Sequence, residues 1–581
     1  MPISNRLSLA DYPTLQSIVE ALDNHLSKTY PDFFGSAPTH PVLPLKRHKV
    51  LHDNLWGTNR FTWAEWLIVD SPIFQRLNDI HQVGLAFHVY PSAHHKRFEH
   101  SLGVLTLASR TYDSCLVRSR GALLDIAKIA YPEEKPEITI KRLRQELRLG
   151  ALLHDTGHSL FSHSSERVYS ELPILKRASN ELTQIAGKEK GAGEVYSFCL
   201  AQTKAVCSLL ERGATRLLGT ADEEDYDGQI DLANVSLIIV GRSAHPFLQF
   251  LGDIVSSAFD ADKLDYLIRD ATAAGLPLRY DLDRYLFGVR LVQDVIADGE
   301  GLLEQLYSST SAKGATRKTT GRFPHYDTYR LRIPKAALNA IEQIVICKMM
   351  LFSYLYHHAK VRASEGLLER MLTRAQHEWE TNDGLTETEV MIRYLELTDS
   401  SLRSRTFLDS QDLCVKDSAY RLINRLIPRE VFRINSSIAS HAAGALLADF
   451  LTNLQNPARR AAIVKEFESL IGEELVRLGV AATPNEAVTV TGAWLDVPSA
   501  PKFKDLDELT IDSSGQDISL RQVFPVDIWT QAYTSYSYNV RVFGFSEHWQ
   551  AVRAAGEFVL KKQTGIASPD FYQLITRGRP A

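Results

Sequence analysis

The sequence lacks several features that would assign it at once to a well-known class. Its five cysteines (Cys115, Cys199, Cys207, Cys347 and Cys414) are scattered and form no Cys-x-x-Cys pair, which argues against a thiolate zinc site and a disulfide framework. The N-terminus has no basic start followed by an apolar run, and no stretch reaches the ~20 uninterrupted apolar residues of a membrane span. We therefore expect a cytoplasmic protein that has no membrane partner.

The chain also has no excess of basic residues. It carries 65 Lys and Arg against 70 Asp and Glu, for a net charge of -5 over 581 residues. A protein that holds long nucleic acid by its phosphates needs a basic surface, so a partner of that kind is not expected. A composition of 44% hydrophobic and 23% charged residues is typical of a soluble globular protein, and this length predicts more than one hydrophobic core.

Helical periodicity dominates the first two thirds of the chain. Apolar residues three or four apart predict helices near 12–26, 63–69, 73–83, 100–118, 142–153, 195–212 and 247–273. The most apolar candidate, 340–356, is interrupted by Glu342, Gln343 and Lys348, as expected of a core helix. Polar compositions predict surface loops at 187–193, 220–231 and 308–321.

The C-terminal part is mixed in character. Helical patterning continues to about residue 478, after which the stretch SYNVRVF (537–543) alternates as a strand does. We therefore predict a mainly α fold with a smaller mixed α/β C-terminal lobe. The predicted division is an N-terminal arm (1–47), a catalytic domain (48–375) and a lobe that regulates or oligomerises the protein (376–581).

The segment most informative about chemistry is LLHDTGHSLFSH, residues 152–163. His154 and Asp155 stand at the end of a helical run, where neighbouring side chains can present an imidazole nitrogen and a carboxylate oxygen to one divalent ion. The chain offers a comparison, because His52-Asp53 is the same dipeptide. That pair precedes a Trp-Gly turn without other ligand types nearby, so we assign it no metal.

Two further segments supply ligands for the His154-Asp155 pair. RFEHSLGV (97–104) offers His100, and DADKLDYLIRD (260–270) offers Asp262. Two histidines and two aspartates suit manganese, magnesium, iron or zinc and leave positions open for water and substrate. Because such a centre neutralises phosphate oxygens and acidifies water, it predicts metal-dependent phosphohydrolysis.

The choice of Asp262 depends on helical spacing. Asp260, Asp265 and Asp270 in the same segment compete for the role. A spacing of four residues places Asp262, Tyr266 and Asp270 on one helix face, which favours that set.

With these motifs in the order His, His-Asp, Asp, the chain resembles the HD-domain deoxynucleoside triphosphate (dNTP) triphosphohydrolases. The likeness includes the string SPIFQRLNDIHQVG (71–84) and is continuous over about 49–275. It extends to the sterile-alpha-motif type and to bacterial dGTPase-like relatives, although no sterile-alpha-motif domain is evident. The resemblance implies hydrolysis of a dNTP to deoxynucleoside and inorganic triphosphate, one divalent metal ion, a homo-oligomer (tetramer or hexamer) and a possible nucleotide activator.

The resemblance also implies roles for individual residues. Asp155, His158 and His163 would take part in catalysis, and Arg97, His163 and Lys263 would bind the triphosphate. The sugar 3'-hydroxyl would meet Gln82 and Asp270, with Tyr266 standing where a 2'-hydroxyl would fall. The predicted substrate is therefore a deoxyribonucleotide.

Two positions depart from the family pattern. Lys188 replaces the histidine of a His-Glu pair, which affects the proton relay. Asn78 stands where an arginine of the activator site is expected, beside the counterparts of Lys49, Val50, Asp70 and Gln75. A helix with Tyr354, His357, His358 and Lys360 resembles a substrate-facing helix of the family.

Two other functions remain open at this point. The same metal site could serve a phosphohydrolase or nuclease acting on nucleic-acid 3' ends, cyclic dinucleotides or signalling nucleotides, although no Gly-Tyr-Pro follows the His-Asp motif. Alternatively, Lys188 and Asn78 could mark a catalytically weak, nucleotide-sensing regulator.

Overall fold

The computed structural model describes residues 7–35, 38, 49–214, 230–297, 325–435, 442–498, 510–513, 516–525, 528–529, 539–566 and 575–577. The predicted loop at 308–321 and nearly all of the one at 220–231 lie outside these ranges. The predicted fold class is confirmed, because helices predominate and small sheets lie towards the C-terminus.

The helices up to residue 288 include the three that position the ligand-bearing motifs. They are Pro13–Thr29, Pro31–Phe34, Trp63–Val69, Pro72–Gln75, Arg97–Arg118, Arg120–Ala130, Pro136–Leu153, His163–Tyr169, Pro173–Ala186, Ala192–Ala201, Lys204–Ala214, Leu232–Ile239, Gln249–Val255, Ala261–Ala273 and Leu282–Gly288.

Further helices follow from residue 338 onwards. They are Leu338–Leu351, Ala359–Thr381, Glu387–Glu396, Arg405–Leu408, Leu413–Ile423, Ala442–Gln455, Pro457–Arg477, Pro484–Thr491, Leu520–Val523 and Trp549–Thr564. Short 3₁₀ turns include Arg76–Asp79 and Asp399–Arg403, and a π-helical turn covers Phe352–Tyr356.

The described strands form three small sheets. An antiparallel hairpin pairs Lys49–Asp53 with Gly57–Phe61. A second sheet has the order Arg290–Ala297, His325–Pro334, Thr510–Ser513, Gln516–Ser519, with one parallel pairing between the middle two. A third, antiparallel sheet has the order Ile575–Arg577, Arg429–Asn435, Asn539–Gly544, Trp494–Asp496, so the predicted strand near 537–543 is present.

Three predicted helices are interrupted, and side-chain caps explain two of the breaks. The 195–212 prediction divides where Thr203 Oγ1 accepts from the Val206 amide at 3.3 Å. The 247–273 prediction divides where Asp260 accepts the Lys263 amide at 2.8 Å and begins the next helix. The 73–83 prediction ends at Asp79, after which His81 forms a bridge with Lys96.

Two hydrophobic cores are present among the described residues. The first extends from Leu7 to Ile427 and includes a few later side chains, and the second is built from residues between Val431 and Ile566. The helices over 387–423 pack in the first core, so the change of core lies near residue 428, later than the predicted domain boundary at 376.

The apolar helix Leu338–Leu351 packs in the first core through Ile341, Ile344 and Val345. Together with its flanking turns it spans 335–356 and is long and apolar enough to cross a membrane by length and composition alone. A core helix passes the same test, and burial of this helix on one face fits the sequence prediction.

A glycine allows the two helices that carry the site to approach closely. A Cβ on Gly103, in helix Arg97–Arg118, would lie 2.0 Å from Asp265 Oδ1 and 2.6 Å from Arg269 Nη2 of helix Ala261–Ala273. A larger residue would displace the Asp265 carboxylate or the Arg269 guanidinium. Gly103 thus leaves room for the Asp265 carboxylate, which lies 2.8 Å from His100 Nδ1.

Candidate metal centre

Three helices bring the four predicted ligands to one point. His100 lies in the first turn of Arg97–Arg118, and Asp262 in the first turn of Ala261–Ala273. His154 and Asp155 directly follow Pro136–Leu153, so they leave the helix as the sequence predicts. Residues more than 150 positions apart therefore share one site.

His100, His154 and Asp155 lie close enough together to share one ion, and Asp262 lies beside both histidines. His100 Nε2 lies 3.0 Å from Asp262 Oδ1 and 3.5 Å from Asp155 Oδ2. His154 Nε2 lies 3.5 Å from Asp155 Oδ1 and 3.9 Å from Asp262 Oδ1. Donors held about 2.0 to 2.2 Å from a common ion lie at comparable separations from one another.

Both imidazoles are oriented with Nε2 towards this space. His154 Nδ1 lies 2.7 Å from the Ala151 carbonyl, and His100 Nδ1 lies 2.8 Å from Asp265 Oδ2. In the neutral, metal-binding form of each ring, Nδ1 therefore carries the proton and Nε2 has the lone pair. Within the described part of the chain, neither buried Nε2 makes a hydrogen bond of good geometry. Such nitrogens, facing two carboxylates, fit a divalent cation.

Asp265 fixes the orientation of His100 and is itself held from three sides. It accepts hydrogen bonds from Arg269 Nε at 2.7 Å and from Trp56 Nε1 at 2.5 Å. Arg269 also pairs with Asp53 at 2.8 Å. The aspartate of the unassigned His52-Asp53 pair thus supports the site from behind, without approaching the ion space.

The electrostatics of the centre favour a cation. Burial lowers the pKa of His100, but the carboxylates of Asp262 and Asp265 outweigh it and raise the pKa to about 10. Burial raises the pKa of Asp155, yet Arg97 and His154 hold it well below its ordinary value. The Asp262 side chain is 35% exposed, against 10% or less for the other three, so the centre opens on that side.

Arg97 lies beside the centre and is 1% exposed. Its Nη1 bonds to Asp155, and its Nε donates to Ser162 Oγ at 2.7 Å. Nη2 has no hydrogen-bond partner among the described residues. A buried guanidinium with one free edge next to a metal site can receive a phosphate oxygen.

His158, His163 and Glu166 form a second cluster next to Asp155. His158 Nδ1 lies 3.2 Å from Asp155 Oδ1, and His163 Nδ1 lies 2.8 Å from Glu166 Oε2. Burial and the charge of Arg97 lower the pKa of His158, which favours a neutral ring. The His163 side chain is 71% exposed, so its Nε2 can face a bound substrate. These three residues are also close enough to form a cation site of their own.

Lys263 already has partners in the structure. Its Nζ donates to the Ser257 carbonyl at 2.6 Å and to Asp260 Oδ2 at 2.8 Å. Its predicted contact with triphosphate therefore requires it to exchange or share these partners.

The predicted sugar-binding residues lie around Asp270, in the second half of helix Ala261–Ala273. Asp270 Oδ1 lies 2.8 Å from His95 Nε2, and its Oδ2 accepts from Tyr356 Oη at 2.5 Å. The backbone amide of Gln82 donates to the His95 carbonyl at 3.1 Å, while its buried side-chain Oε1 has no partner in the described ranges. Tyr266, one turn before Asp270, is half-buried against the core.

The two positions that depart from the family pattern lie apart from the ion space. Lys188 Nζ donates to the Ser256 carbonyl at 2.9 Å. Asn78 is exposed and bonds to Gln75 Oε1 at 3.1 Å, while Lys49 pairs with Asp70 at 3.0 Å. A nucleotide activator at these residues stays a prediction.

Several residues that shape this site were not predicted from the sequence: Asp265, Glu166, His95 and Tyr356. The i, i+3 spacing of His163 and Glu166 was a usable signal. Asp265 was named only as a competing ligand, whereas the structure places it behind His100. No sequence pattern joins His95 or Tyr356 to Asp270.

Residues 97–235 match the HD domain family model, and this range contains His100, His154 and Asp155. The family resemblance drawn from the motifs is confirmed.

The similar curated proteins include named dNTP triphosphohydrolases. The chain is 29% identical over 254 residues to the deoxynucleoside triphosphate triphosphohydrolase SAMHD1 homolog of Dictyostelium discoideum, covering 43% of this chain and 41% of that protein. It is 30% identical over 263 residues to the human deoxynucleoside triphosphate triphosphohydrolase SAMHD1, covering 42% and 36%. The aligned part thus spans well under half of these relatives.

A solved structure supports the fold over more of the chain. A hypothetical protein from Aquifex aeolicus superimposes with a TM-score of 0.53 at 19% identity, covering 87% of this chain and 99% of that one. At this identity the likeness concerns architecture alone.

Proposed function

We propose that this chain is a metal-dependent phosphohydrolase that converts a dNTP and water to deoxynucleoside and inorganic triphosphate. The observation that carries the proposal is the convergence of two oriented imidazoles and two carboxylates beside the free edge of Arg97. The named relatives, which match over the same motifs, support the choice of substrate.

His100, His154, Asp155 and Asp262 would hold the ion. When bound, a divalent ion supplies Lewis-acid charge that neutralises phosphate oxygens and makes water more acidic. The protein contributes fixed ligand orientation, through Asp265 and the Ala151 carbonyl, and a mostly buried site in which charge acts strongly.

The residues around the ion space can position the phosphates and move protons. Arg97 would bind the α-phosphate through Nη2 as water attacks phosphorus and the bond to the sugar O5' breaks. His158, with its lowered pKa, is suited to accept a proton from water. His163, held by Glu166 at 2.8 Å, is suited to donate one to the departing O5'.

The sugar would lie against Gln82, Tyr266 and Asp270. Asp270 is an acceptor fixed by His95 and Tyr356, and Gln82 Oε1 is an unused acceptor. Both Asp270 and Gln82 Oε1 could accept a hydrogen bond from the 3'-hydroxyl. Tyr266, between Asp262 and Asp270 on the helix, would occupy the space of a 2'-hydroxyl and so select deoxyribose.

The proposal predicts particular products. Purified protein with Mn²⁺ should convert each accepted dNTP to deoxynucleoside and inorganic triphosphate in equal amounts, resolved by anion-exchange chromatography. The corresponding ribonucleotides should react about 100-fold more slowly, the discrimination found against a substrate that adds one hydroxyl.

Other product patterns would identify the competing functions. Monophosphate with pyrophosphate, or shortening of an oligonucleotide, would contradict the proposal and indicate a different phosphohydrolase or a nuclease. Tight dNTP binding without turnover in Mn²⁺, Mg²⁺, Fe²⁺ or Zn²⁺ would indicate a regulator.

A further inference from the structure

A carboxylate from far along the chain reaches the back of the site. Asp399 opens the 3₁₀ turn Asp399–Arg403, and its side chain is 5% exposed. Its Oδ2 accepts the His81 amide at 2.7 Å and lies 2.5 Å from His81 Nδ1. Its Oδ1 accepts the Phe161 amide at 2.5 Å. One side chain therefore joins two site segments that lie 80 residues apart.

The segment around Phe161 has a backbone that needs such support. Phe161 has φ +49° and Ser162 has φ +58°, both in the left-handed region that non-glycine residues rarely adopt. Conformations of this kind persist where the surroundings fix them. The turn directly precedes His163 and carries Ser162, so its position determines where both side chains stand.

Ser162 passes this positioning on to Arg97. Its hydroxyl donates to the His81 carbonyl at 2.5 Å and accepts from Arg97 Nε at 2.7 Å. Asp399, His81, Ser162 and Arg97 thus form a continuous chain of buried hydrogen bonds that ends at the free guanidinium edge.

Other bonds dock the segment around Asp399 on the two segments that contain His81 and Phe161. Ser159 Oγ donates to the Tyr394 carbonyl at 2.5 Å, and Thr398 Oγ1 donates to Asp79 Oδ2 at 2.6 Å. The Ser400 amide also lies 3.3 Å from Asp79 Oδ2. The location of Asp399 is therefore fixed from both sides of the turn.

We infer that Asp399 is a positioning residue for the phosphate-binding side of the site, acting through His81 and Ser162 on Arg97 and through Phe161 on His163. The inference rests on the proposed function for its consequence in turnover. It also predicts an effect on triphosphate binding that can be measured without turnover. Asp155 is the one metal ligand that touches this path of hydrogen bonds, through Arg97. Metal affinity should therefore change little when Asp399 is replaced.

Asp399→Asn tests the inference, because an amide of similar size cannot accept from both His81 and Phe161. We expect one Mn²⁺ still to bind per chain, inorganic triphosphate to bind about 10-fold more weakly, and kcat/KM to fall about 100-fold, as for a misplacement of about 1 Å. Asp409→Asn is the matched control, since Asp409 is 67% exposed and pairs only loosely with Arg405 at 3.9 Å.

Ser162→Ala provides a second route to the same result and serves if Asp399→Asn does not fold. It removes the hydroxyl between His81 and Arg97 while keeping the Asp399 contacts. In the double variant the losses should be clearly less than additive, because both changes break one path. Triphosphate affinity within about twofold of the Asp409→Asn control in either single variant, or additive losses in the double, would overturn the inference. If the wild-type protein binds triphosphate but releases no deoxynucleoside, the proposed function fails. The triphosphate affinities of the variants still decide whether Asp399 is a positioning residue.

Discussion

Replacing His154 with alanine should abolish dNTP hydrolysis, with a loss of more than about 100-fold, the upper end of what even an outer partner of a metal ligand costs. The physical reason is direct: His154 Nε2 is one of two imidazole nitrogens facing Asp155 and Asp262, at 3.5 and 3.9 Å. The protein should remain folded, because His154 follows the last residue of helix Pro136–Leu153 and the substitution leaves that helix intact. Turnover of a dNTP and bound Mn²⁺ per chain are the quantities to measure.

The chain supplies its own control for this variant. His52 also precedes an aspartate, but its ring is exposed, and among the described residues it meets Thr58 Oγ1 at 3.2 Å. His52→Ala should therefore keep its metal and its activity within about twofold, as substitutions away from such sites do. Equal losses in the two variants would show that the His154-Asp155 pair has no special role.

Replacing Arg97 with lysine should lower kcat/KM by about 100-fold or more, the range found when one donor to a developing charge is removed. Lysine keeps the positive charge, but it cannot bond to Asp155, Ser162 and a phosphate oxygen with one rigid planar group. Since the metal ligands are untouched, Mn²⁺ stoichiometry should stay at one while inorganic triphosphate binds more weakly.

Arg118→Lys is the comparison for Arg97→Lys. Arg118 lies at the other end of the same helix, is exposed, and packs over the Phe287 ring. Its replacement should leave kinetics unchanged. An Arg97→Lys enzyme with wild-type kcat/KM would mean that the phosphates bind elsewhere, and Lys263 would then be the first residue to test.

The part of the site that could be predicted depends on the spacing of residues within single helices. His154 and Asp155 leave a helix end, and the four-residue spacing of Asp262, Tyr266 and Asp270 places them on one face of Ala261–Ala273. Each needs knowledge of only one helix. The caps Thr203 and Asp260 were equally local, so the two divided helices could have been anticipated.

The unpredicted part depends on tertiary contacts. Asp265 supports His100 across two helices, in space that the missing side chain of Gly103 leaves free. Asp399 meets His81 across 318 positions, and Tyr356 reaches Asp270 from a π-helical turn. No periodicity encodes which distant segments pack together, so these partners emerge only from the folded chain.

The central claim is that four side chains from three segments hold one divalent ion. Anomalous diffraction at the manganese edge, from crystals grown with Mn²⁺, tests it most directly. The structure predicts a single strong peak about 2.0 to 2.5 Å from Nε2 of His100 and His154 and from carboxylate oxygens of Asp155 and Asp262. A peak held instead by His158, His163 and Glu166, or none among the four ligands, would contradict it.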